Sequence, residues 1–267
     1  MYARNACAAL APFVGRLWIS DSDEPGGQRE LVLPTGFAYL ILRLWGEAPR
    51  VLESADALPG ADLPSALIGG ARAGYYVRDV SRPACSVGVE LLPGAAQWLF
   101  GTPAHLLAEA HTPLDGCWSS SQVESARDQI ASEPTPEARL ARLERILLAR
   151  LPRLRALHPA IAAALAELGT RDVGALVRDS GYSHRGFNNL FHASVGLTPK
   201  LFARVKRFSH ALACVHGDDE LSLATLAATC GYSDQAHFTR DFREFSGLTP
   251  ARYRAVSPRY SNHVPLR

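Results

Sequence analysis

Asp172-Val-Gly-Ala-Leu-Val-Arg-Asp-Ser-Gly-Tyr-Ser183 and Ser222-Leu-Ala-Thr-Leu-Ala-Ala-Thr-Cys-Gly-Tyr-Ser233 are one pattern written twice. The first copy continues to Phe187, Phe191 and Val195-Gly-Leu-Thr-Pro199, the second to Phe238, Phe242 and Ser246-Gly-Leu-Thr-Pro250. The Gly-Tyr-Ser triplets lie 50 residues apart and the Gly-Leu-Thr-Pro quartets 51, so the second copy carries one extra residue between Ser233 and Phe238. Spacing this regular marks an internal duplication.

Each copy reads as helix, tight turn, helix. Asp172 and Ser222 have side-chain oxygens suited to the free amides of a first helical turn. Val173, Leu176 and Val177, and their counterparts Leu223, Leu226 and Ala227, recur at helical spacing. Gly181 and Gly231 can end those helices in the left-handed conformation without steric cost. Ser183 and Ser233 are expected to cap a second helix that buries Phe187, Leu190 and Phe191, or Phe238, Phe242 and Phe245. Two short helices around a glycine turn make a helix-turn-helix, whose second helix can enter a DNA major groove. Thr198-Pro199 and Thr249-Pro250 restart helices with a cap followed by proline. Between the units, Pro199 to about His216 reads as a single helix bearing Lys200, Arg204, Lys206 and Arg207.

A chain of 267 residues, 47% hydrophobic and 20% charged, accommodates two ordinary globular domains. Its net charge of +2 is unevenly spread. From Arg171 onward, 13 Lys/Arg face 8 Asp/Glu, whereas the remainder has 15 against 18. A basic C-terminal part on a slightly acidic N-terminal part fits a nucleic-acid reader joined to something else. Neither a signal-peptide pattern nor an apolar run of membrane-spanning length is found, so a cytoplasmic location is expected.

Residues 1–16 carry little pattern beyond alanines, which leaves room for partial disorder. From Leu17 to Leu92 the texture is of short strands at 17–19, 31–33, 38–45, 51–52, 66–68, 75–77 and 87–92. Pro25-Gly-Gly27, Pro34-Thr-Gly36, Pro59-Gly60, Gly69-Gly70 and Pro93-Gly94 punctuate them, a pattern of barrels and sandwiches. Tyr39, Trp45, Tyr75 and Tyr76 are read as core fillers. After Gly94 the period becomes helical at 95–99, 103–110, 118–132 and 135–151. In the last of these, Leu140, Leu143, Ile146, Leu147 and Leu151 form an apolar stripe. That stripe can pack on the chain's own strands or on a second copy. Pro152 to Pro159 reads as a junction, 159–168 as the first helix of the C-terminal part, and the tail beyond Arg254 as frayed.

Catalytic and metal signatures are missing. The stretch 17–100 contains no histidine, and His105 and His111 do not share a helical face. The five cysteines, Cys7, Cys85, Cys117, Cys214 and Cys230, show no C-x-x-C spacing, which argues against a disulfide framework or a structural zinc site. Cys85 and Cys117 have no visible electropositive partner that would make them reactive. Hydrolase and nucleotide-binding motifs do not occur. The expectation is no enzyme, no catalytic residue, no cofactor and no metal.

Gly231-Tyr-Ser-Asp-Gln-Ala-His-Phe-Thr-Arg-Asp-Phe242 and Gly247-Leu-Thr-Pro-Ala-Arg-Tyr-Arg254, within two helix-turn-helix units, resemble the AraC/XylS family of bacterial transcription regulators. Pro34-Thr-Gly36 and Val87-Gly-Val-Glu-Leu-Leu-Pro-Gly-Ala-Ala96 resemble the cupin-like domain that precedes the DNA-binding half in some members. The resemblance implies an α+β protein in three parts. These are a cupin-like barrel or sandwich over 1–116, for sensing or regulation, a helical connector with possible dimerisation over 117–156, and a DNA-binding domain over 157–260.

It also implies that His184, Arg185, Asn188 and Asn189 on the first recognition helix, and Gln235, Ala236, Thr239 and Arg240 on the second, read bases. Asn189 stands where the family often has arginine. These side chains suit the task, since Arg pairs with guanine, Asn or Gln with adenine, and Thr meets the thymine methyl. Ser183, Lys200, Arg204, Lys206, Ser233 and Arg243 are assigned to the DNA backbone. The implied partners are double-stranded DNA, RNA polymerase, a small organic effector held by apolar and aromatic walls, and a second copy of the chain. Two rival readings stay open. One is a regulator answering to a protein partner or to nothing, the other an enzyme docked on DNA by its C-terminal half.

Overall fold

Two antiparallel sheets and ten α-helices account for most of the residues described by the computed structural model, which are 1–22, 29–52, 61–151, 157–169, 171–217 and 221–266. The turn formers Pro25-Gly-Gly27 and Pro59-Gly60, and Pro152 with most of the expected junction, lie outside them.

The strands are β1 (Tyr2–Asn5), β2 (Val14–Ser22), β3 (Arg29–Val32), β4 (Ala38–Gly46), β5 (Arg50–Leu52), β6 (Ala61–Asp62), β7 (Ala66–Gly69), β8 (Tyr76–Asp79), β9 (Ala84–Leu91), β10 (His111–Pro113) and β11 (His263–Leu266). The first sheet runs β1-β2-β9-β4-β7-β10 and the second β11-β3-β8-β5-β6. Each of the seven stretches expected as strands coincides with one. The first sixteen residues are not patternless, because β1 pairs with β2 from Tyr2 opposite Ile19 to Asn5 opposite Arg16. Residues 103–110 do not form the expected helix. A 3-10 turn at Ala104–Leu106 leads instead to β10, which extends the sheet beside β7.

Side chains alternate across a strand, so each sheet has two distinct faces. The outer face of the first carries Leu17, Ile19, Leu40, Leu42, Val87, Val89 and Leu91, all buried. It is covered by α1 (Ala95–Phe100), α2 (Ser120–Ala131) and α3 (Pro136–Arg150), whose Leu140, Leu143 and Leu147 are fully buried in the same cluster. The stripe on α3 is therefore consumed inside its own chain and is not free for a second copy. Glu144, on the same helix, accepts hydrogen bonds from Arg4 at 2.8 Å and from the Cys7 amide at 2.6 Å, fastening the N-terminus.

The outer face of the second sheet does something else. In register across it run Val264, Leu31, Val77 and Leu52. This row belongs to one hydrophobic cluster with Ile161, Phe202 and Val205 of the C-terminal helices. The tail beyond Arg254 is thus not frayed, since it returns as β11 and completes the sheet beneath the helical half.

The inner faces of the two sheets meet, and their contact is polar. The Tyr76 ring stands edge-on to His111 at 4.9 Å, and Tyr39 donates to Thr35 or accepts from it at 2.7 Å. Arg78 pairs with Glu30, which also bonds His263 Nδ1 at 2.9 Å. Burial pushes His111 down to about 4, with Arg72 and Arg78 adding to the effect. Aromatic rings and arginines thus stand together between the sheets.

Candidate nucleic-acid interface

The helical half begins with α4 (Pro159–Glu167) and then repeats itself. The first unit is α5 (Val173–Asp179) and α6 (His184–Val195), the second α8 (Leu223–Thr229) and α9 (Gln235–Ser246), and α7 (Pro199–Gly217) joins them. A short α10 (Pro250–Val256) follows, capped by the Thr249 hydroxyl. Asp172 and Ser222 cap α5 and α8 as expected, accepting from the amides of Ala175 and Thr225. Gly181 and Gly231 sit at φ +74° and +74°, the left-handed conformation that ends each first helix.

The second helices are capped differently. Ser183 accepts from the Gly186 amide at 3.2 Å, but in the other unit the cap is Asp234, which accepts from the His237 amide at 2.7 Å. That amide holds the Asp234 carboxyl below its usual range. Ser233 instead donates to Asp234 and lies 3.1 Å from His237 Nδ1. The extra residue of the second copy is the cause. A cap must stand four residues before the inward phenylalanine, and four before Phe238 is Asp234.

Phe187, Phe191, Phe238, Phe242 and Phe245 are buried to within 1% exposure, which fixes the rotation of both recognition helices. Helix α7 is their common spine, with Phe202 against Phe191 at 5.8 Å and Phe208 against Phe242 at 5.3 Å. His184, Arg185, Asn188 and Asn189 are left exposed on α6, as are Gln235, Ala236 and Arg240 on α9, with Thr239 half-buried. Gln235, Ala236, Thr239, Arg240 and Arg243 line an open concavity of about 830 Å³ together with Glu244 and Thr249. Lys200 and Arg243 are also exposed.

Two residues assigned to the DNA backbone are engaged elsewhere. Arg204 bonds Asp241 at 2.9 Å and Glu244 at 2.7 Å and lies over the Phe245 ring, so its charge is spent holding α9 to α7. Lys206 turns toward the sheets, with its ammonium 4.0 Å from the centre of the Phe37 ring. Burial draws it below the usual lysine range and Glu90 opposes that shift. Both stand on the linker helix that the sequence predicts, but the groups they meet come from segments distant in the chain.

Loops of the sheet-bearing half reach both recognition helices at their C-terminal ends, a feature with no local signal in the sequence. The Gly94 amide donates to the Ser194 carbonyl at 2.8 Å, and the His105 and His192 rings are 5.3 Å apart. At Gly247, which ends α9 at φ +71°, a Cβ would come within 2.8 Å of the Tyr75 ring. The N-terminal ends of the same helices, with the outward polar residues, face away from these contacts.

Comparison with known proteins agrees with this geometry. Residues 176–255 match the model of a helix-turn-helix domain, spanning both units and the helix between them. The helical half is an AraC-type helix-turn-helix domain. Residues 4–113 match a domain of unknown function (DUF6597), which leaves the cupin resemblance unconfirmed. The chain is 33% identical over 85 residues to the F1 operon positive regulatory protein of Yersinia pestis, which is 32% of this chain and 28% of that protein. It is 33% identical over 67 residues to the Photobacterium leiognathi protein named "Probable transcriptional regulator LumQ", 25% and 27% of the two chains. The matches thus span little more than a quarter of either relative.

Among solved structures, apo ToxT from Vibrio cholerae strain SCE256 is similar at a TM-score of 0.48 and 9% identity, over 96% of this chain and 100% of that one. The DNA-binding domain of AdpA in complex with a target DNA is similar at 0.32 and 29% identity, over 36% and 86%. No helix among the described residues is long and apolar enough to cross a membrane.

Proposed function

We propose that the protein is a sequence-specific transcription regulator that places α6 and α9 in successive major grooves of one DNA face. The observation that carries this reading is the pair of phenylalanine-locked helices, each presenting polar side chains outward, on a shared spine. At about 1.5 Å per residue, the 19 residues of α7 are about 28 Å long. That length suits two helices set about one DNA turn, roughly 34 Å, apart. Arg185 and Asn188, and Gln235 and Arg240, are the base readers in this proposal, with Lys200 and Arg243 on phosphates.

Control by the N-terminal half follows from where it touches. It holds the C-terminal ends of both recognition helices, so a change in the sheets alters how the two readers are presented. A ligand acts here only by binding one arrangement better than another. A small organic effector between the sheets, RNA polymerase and a second copy of the chain remain proposed partners. The Yersinia pestis relative is named a positive regulatory protein, and activation is the sense we propose.

The test is nuclease protection on genomic fragments enriched by the purified protein. Two protected patches on one face, weakening steeply with salt as phosphate contacts release counterions, are expected. Binding that is indifferent to sequence would refute the reading.

A further inference from the structure

The fold brings a third side chain of metal-ligand type to a pair that one helix already presents. His210 and Cys214 are one turn apart on α7, so their side chains share a face. Cys230 comes from the end of α8, immediately before the Gly231 turn that leads into the second recognition helix. The three ligand atoms, Nε2 or Nδ1 and two Sγ, all lie within 4.8 Å of one another, and Cys214 Sγ is 3.9 Å from His210 Nε2. A tetrahedral zinc with bonds of about 2.0–2.3 Å has ligand atoms roughly 3.5–3.8 Å apart. The cluster needs to contract by about 1 Å or less, within the reach of side-chain rotation. Cys230 is buried, Cys214 half-buried and His210 exposed, so the cluster is closed on the protein side and open to solvent on the other.

We propose that His210, Cys214 and Cys230 form a site for a thiophilic metal ion, and that the ion clips the linker helix to the second helix-turn-helix unit. Two thiolates and one imidazole are ligands for zinc(II), completed by a fourth ligand from solvent, or for copper(I) in three-coordination. One helical turn before His210, Arg207 already grips the same turn, pairing with Asp241 and lying over the Tyr232 ring at 4.8 Å. A metal would make that hold tighter, fixing the approach of α9 relative to α7. The site is separate from the outward polar residues of α9 and from the contacts with the sheets, so metal occupancy and base contact do not compete for side chains.

The full-length protein, reduced and freed of metal, is titrated with zinc(II), with cobalt(II) as a spectroscopic stand-in, and with copper(I) under anaerobic conditions. Competition against a zinc chelator and a copper(I) chelator distinguishes the two ions. The expected result is one equivalent per chain, thiolate-to-cobalt charge transfer in the near ultraviolet, and a raised melting temperature. Cys214→Ser and Cys230→Ser should abolish binding, and His210→Gln should weaken it at least tenfold. A variant with Cys7, Cys85 and Cys117 all changed to Ser should retain it. Because Cys230 is buried and its variant can misfold, the exposed His210 and half-buried Cys214 carry the decision. Full-strength binding in both of their variants, binding without thiolate charge transfer, or no uptake at all would overturn the proposal. Loss of two thiols to a Cys214–Cys230 disulfide with no metal uptake would overturn it as well.

Discussion

Arg240 and Arg204 look interchangeable on a helical wheel, yet the structure gives them opposite duties. Arg240 is exposed beside Gln235 and Thr239 on the rim of the α9 concavity, and it forms no ion pair among the described residues. Arg240→Ala should cost about 1–3 kcal/mol on the preferred DNA site and relax the choice at one base pair, leaving the fold intact. Arg204→Ala should instead leave buried Asp241 short of a partner, at a cost of about 1–3 kcal/mol in stability. Denaturant unfolding alongside position-by-position binding profiles separates the two outcomes. Glu30 supplies a pH-dependent case. Burial opposes its charge, but Arg78 and His263 hold its carboxyl at about 2, below the ordinary 4.5. A depressed carboxyl contributes stability above its unfolded value, and that stability is lost as pH falls. The melting temperature should therefore drop between pH 4.5 and about 2, with a shallower slope in Glu30→Gln.

At the scale of elements, α3 shows how a legible pattern can leave its purpose open. Leu140, Leu143 and Leu147 announce an amphipathic helix, but a stripe says nothing about which surface covers it. The structure covers it with β2 and β9, so Leu143→Ala should cost about 2–5 kcal/mol as a cavity, with no change in sedimenting mass. A shift in oligomeric state at unchanged stability would contradict that packing. The two helix-turn-helix units were readable because their signals are local, with phenylalanines at helical spacing, glycines past the helix ends, and Thr-Pro restarts. The assignment of the cap to Ser233 failed because a one-residue insertion moves the cap without changing its chemistry, Asp being as good an acceptor as Ser. Strands β3, β4 and β9 were legible from alternation and turn formers. β1, β10 and β11 were not, because short edge strands of mixed polarity are defined by the neighbour they pair with. The meeting of Cys230 with the His210–Cys214 pair escaped for the same reason, since it is a tertiary event and not a spacing.

The whole molecule is a stack, with helices α1–α3 on the first sheet, the second sheet facing the first, and the AraC-type domain on the second sheet. Both ends of the chain stitch it together, β1 in one sheet and β11 in the other. Removing residues beyond Ser257 would uncover the edge of β3, take Val264 out of the row with Leu31 and Val77, and leave Glu30 without His263. Val264 alone makes this worth roughly 1.5–3 kcal/mol. Unfolding in denaturant should show that loss, and a truncated chain as stable as the full one would refute a structural role for β11.

The central claim is that α6 and α9 read two sites at once. Selection from randomised duplex DNA by the full-length protein tests it most directly, with Arg185→Ala and Arg240→Ala run in parallel. The account predicts two half-sites about 10–10.5 base pairs apart, with Arg185→Ala relaxing one and Arg240→Ala the other. A single recognised element relaxed by both variants, or an equal loss of affinity on every sequence, would contradict it.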